Sequence, residues 1–457
     1  MTRPGAGRRV AVIGGGIAGL AAARTLARAG AEVVVLERDA SIGGKLRTSP
    51  FHGHAAIDEG PDAFLARLPW ATELARQVGL GDTLVSPEAG TASVWWRRMH
   101  DIPSGLLLGM PTDVLALARS RLISWPGKAR AALEPFLPRT STEHDSLGRY
   151  VRARFGDQVH ERLVDPLVGS IYAADTDRFS LAAVPQIADL ASRSRSVLVA
   201  GRSMPAPSPA AGPVFFAPSG GLGALAAAVA DDSRVHGATI VTGRSATTLL
   251  PDGGGWRLDD ERYDAVVVAT PASAAAALVV TTAPDAAALL AGVEAADVVM
   301  VTLAVPRAEW PERLRGRSGY LVPKPQQRLV TACSFGSQKW AHWSADDHEI
   351  LRVSLGRDGL PVLDHDDATL LGAAVDEVGR HLGIDLRPAA HRLTRWAGAF
   401  PQYRPRHAER ARSIEAALPP GVVVCGASHH GIGIPACVNS AQRAATATLD
   451  RLAAMEE

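Results

Sequence analysis

Nothing in the chain narrows its fold as sharply as residues 9–37. Arg9-Val10-Ala11-Val12-Ile13 has the length and apolar content of a short buried strand. Gly14-Gly15-Gly16-Ile17-Ala18-Gly19 follows at once, and an Ala- and Leu-rich helix then runs to about Ala29. Gly30 stands where a helix C-terminus favours a residue tolerant of positive φ. Glu32–Leu36 reads as a second strand, ending at Glu37, 18 positions after Gly19. A lone Gly-x-Gly-x-x-Gly says little, but one that leaves a strand, opens a helix and is followed by an acid at this distance is a dinucleotide-binding βαβ unit. Gly14 permits the tight turn. Gly16 lets backbone N–H groups approach a pyrophosphate, whose charge the helix N-terminus favours, and Gly19 lets helix and strand pack closely. Glu37 is expected to accept hydrogen bonds from ribose hydroxyls, with Gly15, Ile17, Ala18 and Arg38 completing this part of the cofactor site.

Two further segments extend the cofactor site. Gly43 and Gly44 lie just beyond Glu37, followed by Lys45 and Arg47. A glycine pair lets the chain pass close to a second part of a long cofactor, and the two cations are placed to offset phosphate charge. At the far end, Val422–Cys425 reads as a strand reaching Gly426, and Gly431-Ile432-Gly433-Ile434-Pro435 leads into a helix from Ala436 to Met455. The start of that helix suits negative charge on a reduced flavin ring. The Ser41–Thr48 stretch resembles the glycine-doublet segment of the FAD-dependent amine-oxidase superfamily, which includes phytoene desaturases and porphyrinogen oxidases. Nicotinamide dehydrogenases do not usually carry it.

Other segments match one branch of that superfamily, in order along the chain: Asp58–Leu65, Ile102–Gly105, Leu167–Ala173 with Asp177–Leu181, Phe216–Leu222, Trp396 with Phe400–Tyr403 and His407, and Gly431–Cys437. They resemble the protoporphyrinogen/coproporphyrinogen oxidase family, most closely its soluble Gram-positive coproporphyrinogen III oxidases. The resemblance implies non-covalent FAD, held additionally by Gly44, Lys45, Gly60, Pro61, Asp62, Ala63, Ala246, Trp396, Ile432, Gly433 and Ile434. It implies that coproporphyrinogen III loses six hydrogens in three two-electron steps to give coproporphyrin III in haem biosynthesis. O2 would be the acceptor, peroxide would be released, and product transfer to a ferrochelatase is a further implication. Such a substrate is wide and apolar with anionic propionates, so it demands an apolar slot with a cationic rim. Leu65, Gly169, Ile171, Tyr172 and Met300 are candidate walls. Arg67, Arg97 and Arg98 are candidate propionate partners, although most of the 44 arginines must be ordinary surface charges. No side chain stands out as a catalytic base; flavin N5 carries the chemistry. The chain departs from the family at four places: Leu68-Pro69 follows Arg67 where relatives usually have a basic residue, which bears on the propionate contacts of this segment, Ala63 replaces a Ser, and Ala174 and Arg406 replace glycines. Protoporphyrinogen IX oxidation is the alternative within the fold. A flavin amine oxidase is disfavoured by Gly60–Leu65 and Gly169–Tyr172. A non-catalytic flavin- or partner-binding protein is the reading from a different class.

The expected fold class is α/β with α+β inserts. A Rossmann-like FAD-binding domain is assembled from residues 5–60, 214–271 and 398–457. Residues 61–97 and 272–397 form a mixed-sheet substrate-binding domain, and 98–213 a helical insertion. The stretch from Trp70 to Leu190 reads as mostly helical, with Leu147 to Val164 as a core-facing helix and 192–213 as a surface loop. The 457 residues are 47% hydrophobic with net charge +1, which excludes a basic nucleic-acid binder. No apolar run is long enough for a transmembrane span, and the N-terminus has no secretory h-region. Cys333, Cys425 and Cys437 form no CxxC pair, which with the previous point favours the cytoplasm. His429-His430 lacks a third ligand at metal-like spacing, so no metal is expected. Trp95-Trp96 is read as core or interface, and Leu106–Met110 as packing over the substrate cavity rather than a membrane contact.

Overall fold

The computed structural model describes residues 5–88, 90–141, 146–202 and 212–455. They fall into two compact units, one drawn from Met1–Ser86, Pro213–Glu294 and Ala408–Glu457, the other from Pro87–Gly212 and Ala295–His407.

The first unit is built on a five-stranded parallel sheet. Its spatial order is Thr239–Val241, Glu32–Leu36, Arg9–Ile13, Ala265–Val268, Val422–Val424. In chain order this is 3-2-1-4-5, the doubly wound arrangement. Strand order reverses beside Arg9–Ile13, and the crevice at that strand's carboxyl end is where such sheets bind ligands. Both faces are covered. Val10, Val12, Val33, Val35 and Val267 pack with helices Ile17–Arg28, Leu222–Val235 and Ile434–Ala453. Ala11, Ile13, Val34, Val266 and Val268 pack on the other side with the meander at residues 249–263 and helices Ala272–Val279 and Pro284–Ala291. Burial on both faces explains why these strands read as unbroken apolar runs.

The second unit centres on a seven-stranded sheet in which Ala295–Pro306 lies between Ala390–Pro401 and His348–Leu355. Val299, Val301, Leu303 and Val305 face helix Asp367–Leu382 in one apolar core, so Met300 and Thr302 point to the opposite face. Three expectations need correction here. Between Trp70 and Leu190 helices predominate, but residues 84–111 do not follow the expected helical pattern: Leu84–Val85, Thr91–Trp95, Met99–Asp101, Leu106–Leu107 and Met110–Pro111 are strands. Thr91–Trp95 is recruited by parallel pairing with Arg317–Leu321, a long-range contact that overrides local preference. The helix over 147–164 is interrupted at Gly156, whose φ of 84° suits glycine, and it resumes through a π-helical turn at His160–Val164. The loop over 192–213 includes a helix at Val197–Arg202, while its residues 203–211 lie outside the described residues.

Trp95 packs against the sheet core and donates its indole N–H to the His381 carbonyl at 3.2 Å, whereas Trp96 carries the Arg162 guanidinium over its ring at 4.2 Å. The Leu106–Met110 hairpin turns through Leu108 and Gly109, both at positive φ. Met110 is fully buried, and a Cβ on Gly109 would strike the Leu163 carbonyl, so this hairpin packs on the π-helical turn. Among the described residues no helix is long and apolar enough to cross a membrane.

His381 gives this unit a pH dependence. It is 5% exposed, its ring lies 4.1 Å from Trp95, and its Nδ1 is 3.1 Å from the Tyr320 hydroxyl. Burial, reinforced by Arg380 and Arg328, pushes its pKa down to about 4. The unfolded imidazole titrates near ~6.5, so between these values the unfolded state binds more protons and stability falls as pH falls. The expected loss between pH 7 and pH 4 is about 3 kcal/mol from this group. Urea unfolding across that range should show a shallower slope in His381→Asn; an unchanged slope refutes the assignment.

Candidate functional site

The Gly14–Gly19 loop occupies the switch point, and each of its glycines answers a different demand. Gly14 has φ 107°, and a Cβ there would lie 2.9 Å from the Ala269 carbonyl. At Gly19 a Cβ would fall on the Gly14 carbonyl, 1.9 Å away, so this glycine sets the approach of helix to strand. Gly16, by contrast, has φ −74° and ψ 174°, ordinary extended backbone, and a Cβ there would meet nothing within 4 Å. Gly16 is the N-cap of helix Ile17–Arg28 and offers no side-chain cap, and the helix has no acid in its first turn. Open space beside an uncapped N-terminus is a cradle for an anion. Ile17 and Ala18 are buried in the first turn.

Glu37 is nearly buried and held by the backbone. Its Oε2 accepts from the Gly15 N–H at 2.6 Å, and its Oε1 from the Asp39 N–H at 2.8 Å. A carboxylate oxygen retains further acceptor capacity, so Glu37 can also take hydroxyl protons. Arg38 is exposed beside Asp39. Backbone bonds from Gly243 to Asp39 and from Arg244 to the Glu37 carbonyl lay the 243–246 segment, with Ala246, along this stretch.

The glycine doublet is docked onto the loop. The Gly43 N–H bonds the Gly15 carbonyl at 2.8 Å, and a Cβ on Gly44 would lie 3.2 Å from the Gly16 Cα. Arg47 pairs with Glu59 at 2.7 Å. Gly60, Pro61, Asp62 and Ala63 form the connection between strands His54–Asp58 and Phe64–Leu65. Its entry is fixed by buried Asp58, which accepts from the Leu222 N–H at 2.8 Å at the start of helix Leu222–Val235. Its exit is fixed by pairing of Phe64 and Leu65 with Phe216 and Phe215. Arg67 is exposed. At the chain's other end, Gly433 caps helix Ile434–Ala453, again without a side-chain cap, and Gly431 has φ 129°. His430 bonds Glu415 at 2.6 Å, and His429 is buried.

The segments singled out in the second unit are also drawn together. Tyr172 stacks on Phe179 at 5.0 Å, Phe179 lies near parallel to Tyr403 at 6.2 Å, and Tyr403 stacks on His407 at 3.7 Å. Gln402 donates to the carbonyls of Tyr172 and Ala173, and the Ser180 N–H bonds the Tyr403 carbonyl at 2.7 Å. Ile171 keeps half its surface exposed. Gly169 has a packing role: a Cβ there would lie 2.8 Å from an Arg357 nitrogen. Met300 is half-buried between Ser354 and Thr394, Trp396 pairs with Val298, and Arg97 and Arg98 are exposed. The family glycine replaced by Arg406 is explained by its φ of 69°; next to Ala174 the strained residue is Ala173, at φ 45°.

Sequence reasoning missed what fixes the Ile171–Ala174 turn. Arg357 donates to both carboxylate oxygens of Asp165, at 2.9 and 2.8 Å, and also to the Ala174 carbonyl. Both side chains are almost fully buried. Burial alone would raise the Asp165 carboxyl, but the guanidinium overrides it and holds it below the usual carboxylate range. Asp358 continues the support, its N–H bonding the Ala173 carbonyl at 2.8 Å while Arg404 grips its carboxylate. A pairing across 192 residues leaves no local signature.

The profile of the family described as flavin containing amine oxidoreductase matches residues 17–449. Coproporphyrinogen III oxidase of Bacillus subtilis (strain 168) is 30% identical over 97% of this chain and 98% of its own length. That of Mycobacterium tuberculosis (strain ATCC 25618 / H37Rv) is 33% identical over 97% and 98%. A crystal structure from Exiguobacterium sp. 255-15, provisionally named a protoporphyrinogen oxidase, superposes with a TM-score of 0.86 at 28% identity, covering 99% of this chain and all of that one.

Proposed function

The chain belongs to the coproporphyrinogen III oxidases within the flavin containing amine oxidoreductase family, and from that premise we propose that it oxidises coproporphyrinogen III to coproporphyrin III in haem biosynthesis. The reaction removes six hydrogens from the macrocycle and passes them to three O2, giving three peroxides. The observation that carries this reading is the end-to-end match to those oxidases, in a chain whose dinucleotide cradle sits at the sheet's switch point. Bound FAD supplies the hydride acceptor and the route to O2.

The chain's own residues then have three tasks. The Gly14–Gly19 loop, with the uncapped start of helix Ile17–Arg28, holds the pyrophosphate, and Glu37 holds a ribose. The start of helix Ile434–Ala453 stabilises negative charge at the ring end. Ile171 and Tyr172, braced by Gln402 and Arg357, contribute to the apolar wall, and Arg67 meets a propionate. Pyrrole protons leave to water, so no side chain acts as a base. The enzyme works in the cytoplasm and delivers its product to a ferrochelatase.

Purified holoenzyme mixed in air with coproporphyrinogen III or protoporphyrinogen IX should develop porphyrin fluorescence, with the higher kcat/KM for the four-propionate substrate. A preference for protoporphyrinogen IX would transfer the assignment to that substrate. Rates no higher than autoxidation with both would end the porphyrinogen reading.

A further inference from the structure

We propose that Lys45 serves the ring end of the bound flavin, as the positive charge that favours the reduced cofactor, rather than its pyrophosphate. By sequence Lys45 and Arg47 are alike, two cations after a glycine pair. The structure separates them. Arg47 is paired with Glu59. Lys45 makes no hydrogen bond or ion pair with any described residue, although its side chain is half-buried. An ammonium withdrawn from water without a partner is costly, and a site that keeps one is built for an anion that arrives with a ligand.

Its position indicates which anion. Gly43 and Gly44 turn at positive φ, and the Leu46 N–H closes back on the Gly43 carbonyl at 3.0 Å, with Lys45 between. The turn is pinned to the phosphate loop through Gly43 and Gly15, while the ammonium is within electrostatic reach of the C-terminal helix. Its electrostatic neighbour is the Cys437 thiol, in the first turn of the C-terminal helix. That thiol lies 3.6 Å from the Ile432 carbonyl and 4.0 Å from that of Gly431. Burial lowers the ammonium's pKa and raises the thiol's to about 11, and each group partly offsets the shift of the other. The pyrophosphate already has the Gly14–Gly19 loop, where Gly16 leaves space. The Lys45 charge therefore acts on the first turn of the second uncapped helix, the one that follows Gly433. A flavin that accepts two electrons gains negative charge along its N1–C2=O edge, and a fixed cation beside a helix N-terminus stabilises that charge.

This inference rests on flavin binding and not on the choice of substrate, so it is tested without porphyrinogen. The midpoint potential of the bound flavin is measured by reductive titration against a reference dye in the wild type, Lys45→Met and Lys45→Arg. Lys45→Met should lose at least about tenfold of the preference for reduced over oxidised cofactor, which for a two-electron couple lowers the potential by about 30 mV. Lys45→Arg should restore most of it. The dissociation constant of the flavin–sulfite adduct, which also places negative charge at N1, should rise by a similar factor in Lys45→Met. An unchanged potential in a flavin-loaded Met variant overturns the proposal. So does an unchanged potential with FAD retention that has become salt-sensitive, the result expected of a phosphate partner. A Met variant that cannot be reconstituted with FAD overturns it too, because a charge serving the reduced ring is not needed to hold the oxidised one. None of these outcomes alters the porphyrinogen reading.

Discussion

Gly16→Val is expected to fold and to purify without flavin. The two halves of that result come from different observations. Folding survives because Gly16 has the φ and ψ of an ordinary extended residue and a Cβ there meets nothing within 4 Å. The cost is that of a poor N-cap, about 1 kcal/mol or less. Flavin is lost because that empty volume, next to the free N–H groups of helix Ile17–Arg28, is where the pyrophosphate must come. Each charge-assisted hydrogen bond forfeited is worth roughly 1.5–3 kcal/mol, and every 1.4 kcal/mol is about tenfold in affinity. Two such losses leave the protein colourless at ordinary FAD concentrations. Gly19→Ala is the contrasting variant. Its single methyl would overlap the Gly14 carbonyl, forcing helix and strand apart in the core of the first unit, and it should fail to accumulate as folded protein. Far-UV circular dichroism and the visible flavin spectrum of the two purified variants decide the matter. A yellow Gly16→Val protein with full flavin content would mean that the cofactor does not use this crevice.

The contrast between those glycines also shows what could be read in advance. The parallel sheet was legible because buried parallel strands are continuous apolar runs, and Arg9–Ile13, Glu32–Leu36, Ala265–Val268 and Val422–Val424 all appear close to their expected bounds. The glycine signature was legible because its spacing is set by backbone sterics alone. Strand Ala390–Pro401 was not. It lies at a sheet edge, pairs with one neighbour only, and carries two arginines, Arg392 and Arg395, where a central strand would carry Val or Ile. Thr91–Trp95 was hidden for a related reason, since its partner Arg317–Leu321 is more than two hundred residues away. The candidate site divides in the same way. Residues assigned to a cofactor through their own backbone announced themselves as glycines. Residues that brace a turn through buried charge, such as Asp165 and Arg357, look in the sequence like any acid and any of many arginines.

That bracing pair carries the second large effect. Arg357→Met should destabilise the second unit by about 3–5 kcal/mol at pH 7, because it leaves a buried carboxylate without its counter-charge and the Ala174 carbonyl without its donor. The deficit should depend on pH in a defined direction. In the wild type the Asp165 pKa is depressed, so its contribution is complete above the unfolded value near ~3.9 and is lost only as pH falls through the lower folded value. Without Arg357, burial dominates and raises the folded pKa above the unfolded one. The folded variant then binds a proton that the unfolded chain releases, and its stability rises as pH falls toward 5. The gap between variant and wild type should therefore narrow from pH 7 to pH 5 in urea unfolding. A double variant, Asp165→Leu with Arg357→Met, should recover much of the loss at pH 7, since an apolar pair of similar volume can replace a buried ion pair. Equal deficits at both pH values, or a double variant as weak as the single, would show that the pair matters by shape and not by charge. Where the folded single variant can be assayed, the loosened Ile171–Ala174 turn should raise KM for the porphyrinogen more than it lowers kcat, because the residues it displaces are assigned to holding the substrate rather than to the chemical step.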